Sequence, residues 1–187
     1  MTDNKQTVHF NIEYFQGVTC IGCVVIEDLD IEVEFTDDEI AQMRQLVSQL
    51  DEALYSQGLM PVLKDAAPEL YLKVDDAARS AIFDFLVING IRQGDIVPDE
   101  YECQLNYARD VKNGKYEFFD GDLDESDEPP TEEEIQEMKY NTWHDQEMSR
   151  FQSESLEWIR SRYNVDDQIE MPKELIYICD IPVDLLP

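Results

Sequence analysis

A chain of 187 residues with 43 acidic against 14 basic side chains carries a formal charge of −29 and no basic cluster, which excludes direct DNA or RNA binding through phosphate contacts and disfavours anionic membrane surfaces. No apolar run approaches the 18 or so residues of a spanning helix. Disorder throughout is excluded as well, because Leu, Ile, Val and Phe fill 51 positions, above the roughly 20 % below which a charged chain stays unfolded.

The length suits a single domain over 1–187. The N-terminus lacks the basic start and apolar core of a secretory signal, so the expected location is cytoplasmic and the four cysteines are read as thiols. Residues 7–15 alternate apolar and polar side chains as a half-buried strand does, Gln16-Gly17 can turn the chain, and a second run begins at Val18. From Leu29 to Phe35 the alternation is strict: Leu29, Ile31, Val33 and Phe35 face one side, Asp28, Asp30, Glu32 and Glu34 the other. Thr36 and Glu39 form a capping box, after which Ile40, Met43, Val47, Leu50 and Leu54 recur at helical spacing up to Gly58. Residues 59–74 hold Pro61 and Pro68, which limit any helix there. A second helix is expected over 76–89 with Gly90 as its stop, and a hairpin over 103–118 turning at Asn113-Gly114. An exposed acidic loop spans 120–130. Thr131 and Glu134 repeat the capping box and open a helical stretch running to Tyr163, interrupted near Asn141-Thr142, and a last strand runs from Leu175 to Ile181. The order β-β-(β)-α-α-β-β-α-β reads as an α+β fold, a largely antiparallel sheet with helices packed on one face.

Cys20-Ile21-Gly22-Cys23 has the spacing of half a zinc or dithiol site; Cys103, Cys179, His9 and His144 would have to complete it in space. Because the pair lies in strand-like sequence, away from a helix N-terminus that would lower a thiol pKa, buried side chains are the simpler reading. Asp120, Asp122 and Asp124 imitate the start of a calcium loop, but Glu125 stands where glycine permits the turn and Thr131 where a bidentate glutamate belongs. His144 has no His or Glu partner at metal-ligand spacing, and Trp143, Phe151, Trp158 and Tyr163 read as core. Phosphate-binding glycine loops, a Gly-x-Ser-x-Gly elbow and a dinucleotide fingerprint are all missing, so no feature selects an enzyme or a cofactor. The functional expectation is a non-enzymatic interaction protein that binds a basic protein, as an inhibitor, an immunity-type protein or a nucleic-acid mimic would. Asp28, Asp30, Glu32 and Glu34 form one expected contact row, and Asp120, Asp122 and Asp124 another. The alternative is a metal- or thiol-dependent protein using Cys20 and Cys23 with Cys103, Cys179 or a histidine.

Overall fold

The computed structural model describes residues 5–18, 22, 24–50, 57–116 and 130–186. It is an α+β fold: a three-stranded antiparallel sheet and, among the described residues, six α-helices. Contacts divide the chain into two compact units, Met1–Phe85 with Met171–Pro187, and Leu86–Glu170.

The first unit contains the whole sheet. Strand β1 (Lys5–Val18) pairs antiparallel with β2 (Val24–Thr36), Lys5 opposite Thr36 and Phe15 opposite Ile26. Gln16-Gly17 does not turn the chain. The register shifts between Phe15 and Gly17, and Gly17 takes a φ of 134°. Glycine's freedom is used to absorb a bulge within β1, so Val18 ends that strand and the second begins at Val24. Strand β3 (Tyr177–Cys179) lies on the other side of β1, giving the order β2-β1-β3. One face of the sheet buries Val8, Phe10, Ile12, Tyr14, Ile31, Val33 and Phe35. Period-2 alternation in both strands puts these on the same side.

Three helices supply the other half of this core. Helix α1 (Asp37–Val47) starts at the expected capping box: the Glu39 amide donates to Thr36 Oγ1 at 3.3 Å and the Thr36 amide to Glu39 Oε2 at 2.8 Å. It buries Ile40, Met43 and Val47 and stops well short of Gly58; residues 51–56, with Leu54, lie outside the described residues. Helix α2 (Met60–Ala66) and helix α3 (Pro68–Gln93) occupy the segment left open by the prolines, which fall in first turns where a missing N–H leaves no bond unmade. Leu63, Leu70, Val74 and Ala78 complete the cluster. Asp75 anchors β3 to α3, accepting from Arg79 Nε at 2.6 Å and from the Tyr71 and Tyr177 hydroxyls.

The boundary between the units falls inside α3, after Phe85. Gly90 does not end this helix; a Cβ there would stand 2.8 Å from Ile96 Cδ1, so the position needs glycine for close packing, and the stop is Gly94 at φ +79°. In the second unit, the hairpin expected over 103–118 is replaced by helix α4 (Glu100–Lys112), capped by Asp99. Its buried positions are Cys103, Asn106 and Asp110, a helical spacing hidden from hydrophobic periodicity because two of the three side chains are polar. Asn113-Gly114 ends the helix, with Gly114 at φ +65°. The return strand would run through residues 117 and 118, outside the described residues. Helix α5 (Glu132–Ser153) begins at the Thr131 capping box and passes unbroken through Asn141-Thr142. The interruption comes at Glu154-Ser155, where Ser155 caps the short α6 (Leu156–Arg160). Among the described residues, then, the order is β-β-α-α-α-α-α-α-β.

Candidate functional site

The uncovered face of the sheet carries the acid row. Asp28, Asp30, Glu32 and Glu34 are all exposed, alternating with buried or half-buried Leu29, Ile31, Val33 and Phe35. With a pleated repeat, their carboxylates follow one another at about 6.8 Å. Register then decides what stands across from each. Glu34 faces Thr7, Glu32 faces His9, Asp30 faces Asn11 and Asp28 faces Glu13. Lys5 Nζ reaches Glu34 at 3.3 Å, and His9 Nδ1 lies 3.5 Å from Glu32. These exposed contacts neutralise little. At the other end, Asp28 and Glu13 are like charges directly opposite each other, an unfavourable cross-strand pair. Beyond them the same face turns apolar, with Val24 53 % and Ile26 47 % exposed beside Phe15.

A second charged cluster lies in the second unit and is buried. Arg162 Nη2 donates to Asp110 Oδ2 at 2.7 Å while its Nε forms an ion pair with Glu147; the three side chains are only 7 %, 7 % and 2 % exposed. Trp143 Nε1 also donates to Asp110, the Tyr163 hydroxyl donates to Glu147 at 3.0 Å, and Asn106 Nδ2 donates to the Arg162 carbonyl at 3.0 Å. Burial raises the Asp110 carboxyl, but the Arg162 and Trp143 bonds outweigh it and hold the group below its ordinary value. Burial, reinforced by Glu147, pushes the Tyr163 hydroxyl up. Arg150 and Arg162 sit over the Trp158 ring at 4.4 and 5.1 Å, at the edge of a cavity of about 170 Å³. Each buried charge has an opposite charge against it, an arrangement that ties α4, α5 and the chain after α6 together.

Of the cysteines, Cys103 and Cys179 are buried and unbridged, in the second and first units respectively. Burial pushes their thiols up to about 11 and about 12, away from the thiolate form that binds metals or attacks disulfides. Among the described residues no group of three or more His, Cys, Asp and Glu side chains is placed to hold a metal ion. Cys20, Cys23, Asp120, Asp122 and Asp124 lie outside the described residues. His144 stands beside the Tyr140 ring on α5, and His9 on the open sheet face. Trp143, Phe151 and Tyr163 are buried. Sequence reasoning missed Glu13, whose significance depends on strand register, and the Asp110, Glu147 and Arg162 cluster. For the latter, the signal was the spacing of Asn106 and Asp110 on one helix face.

No helix among the described residues is long and apolar enough to cross a membrane. No protein-family model, curated protein or solved structure matches the chain.

Proposed function

We propose that the protein is a non-enzymatic interaction protein whose open, acidic sheet face receives a basic protein. The observation that carries this reading is the ladder of carboxylates across two strands, Glu13 opposite Asp28 and then Asp30, Glu32 and Glu34, with only Lys5 and His9 against them among the described residues. Each carboxylate on this face raises the energy of its neighbours, and a partner bringing Lys or Arg would relieve that repulsion while its approach is accelerated by the overall charge of −29. The two buried, unbridged thiols accord with a reducing compartment, the cytoplasm.

The test compares the wild-type protein with the variant carrying Asp28→Lys, Asp30→Lys, Glu32→Lys and Glu34→Lys as baits in lysate at low salt, each eluted by a salt gradient. Since all four side chains are exposed, circular dichroism and thermal unfolding should show an intact fold. A basic protein held by the wild-type chain, released at moderate salt and not held by the variant is the expected result. Equal retention by both baits would remove the sheet face from the interaction.

A further inference from the structure

We infer that the partner docks as an added β-strand along the free edge of β2, and that the acid row fixes its chemistry: an extended segment with Lys or Arg at every second position. This rests on the reading above and specifies its geometry. In the sheet order β2-β1-β3, β2 is an edge strand, and among the described residues no chain pairs with its outer side. At 13 residues it is about 44 Å long at 3.4 Å per residue, far beyond the short edges that proteins usually leave open. Alternate residues of such an edge direct N–H and C=O groups outward, a ready template for strand addition. Val24–Thr36 contains no proline, and the charges that guard it against unwanted pairing are all of one sign, which leaves the edge open to a strand of the opposite sign. Its only charged side chains are Glu27, Asp28, Asp30, Glu32 and Glu34.

Those acids select among occupants. A second copy is refused along the acid row, because every antiparallel pairing of β2 with itself that is centred from Asp28 to Glu34 and keeps the apolar faces in one layer sets acid against acid. Centred on Ile31, for instance, it places Asp30 opposite Glu32 and Asp28 opposite Glu34. A strand with basic residues at alternate positions makes the opposite set of pairs. Its intervening side chains continue the layer of Leu29, Ile31, Val33 and Phe35 and are therefore apolar. Toward the Val24 and Ile26 end, the outward positions change from basic to apolar as well, since both residues are about half exposed there. The occupant is thus a basic-apolar alternating strand with one apolar end.

The experiment uses the full chain and a synthetic peptide of alternating Lys and Val, about nine residues long and so spanning roughly 30 Å. A second peptide has the same sequence with alternate backbone amides N-methylated along one edge, which preserves charge and removes the donors needed for strand pairing. Binding is followed by NMR, with hydrogen exchange at the β2 amides. Slowed exchange along β2, at least tenfold weaker binding of the methylated peptide, and at least tenfold weaker binding to the variant with Asp28→Asn, Asp30→Asn, Glu32→Gln and Glu34→Gln are expected. Equal binding of the two peptides would overturn edge docking while leaving a charge-led surface in place. Absence of binding by either peptide would also overturn edge docking, and the lysate comparison above decides the broader reading independently.

Discussion

Replacing Arg162 with methionine isolates the one cation that serves two buried carboxylates. The side chain is 7 % exposed and pairs with both Asp110 and Glu147, so its removal strips Asp110 of its ion-pair partner and leaves Glu147 with Arg150, 3.7 Å away. Removing one partner of a buried ion pair typically costs about 3–5 kcal/mol. Asp110 limits the damage by taking up a proton: for an acid of ordinary pKa near 4, neutralisation at pH 7 costs about 1.36 kcal/mol for each of three pH units, or about 4 kcal/mol. At pH 5 the same step costs only about 1.4 kcal/mol. In the wild-type protein Asp110 is held below its ordinary value, so its contribution to stability is present above the unfolded pKa and disappears only as the pH falls through the lower, folded one. Urea unfolding followed by circular dichroism should therefore show Arg162→Met destabilised by about 4 kcal/mol at pH 7 and by roughly a third of that at pH 5. A deficit under about 1 kcal/mol at pH 7, or one of equal size at both pH values, would refute the claim that Arg162 neutralises the buried Asp110 carboxylate.

At Gly58, alanine should destabilise the protein by roughly 2 kcal/mol or more, because its φ of +77° disfavours a Cβ and the added atom would stand 2.6 Å from the Cys179 carbonyl oxygen; thermal unfolding measures this, and an unchanged midpoint would contradict the close approach of β3. Thiol titration with an aromatic disulfide near pH 8 should count at most two reactive cysteines in the folded protein and four after denaturation, since burial holds Cys103 and Cys179 protonated. Rapid reaction of more than two thiols in the native state would show that one of these two sites opens.

What could be read from sequence follows from which side chains face inward. β2 was legible because its buried positions are Leu, Ile, Val and Phe while every outward position from 28 to 34 is an acid. Both capping boxes were legible because they are local, each bond joining residues three apart. Helix α4 does not read as a helix from hydrophobic spacing because two of its three inward side chains, Asn106 and Asp110, are polar and are buried against Arg162 and Trp143, more than 30 residues away in sequence. The start of α3 was obscured by Pro68, a helix breaker in the interior and harmless in the first turn. At the candidate site, the acid row was visible one residue at a time, whereas the confrontation of Asp28 with Glu13 exists only once β1 and β2 have a register.

Trp143 and Trp158 are the protein's two tryptophans, and both belong to the unit Leu86–Glu170. One indole donates to the Asp110 carboxylate and the other lies beneath two guanidinium groups, so both should change emission when the buried ion cluster comes apart. The sheet and its acid row contain no tryptophan at all. Intrinsic fluorescence is therefore a spectroscopic window onto fewer than half of the residues, and a melting curve recorded by emission alone would pass over the strands that carry the acid row.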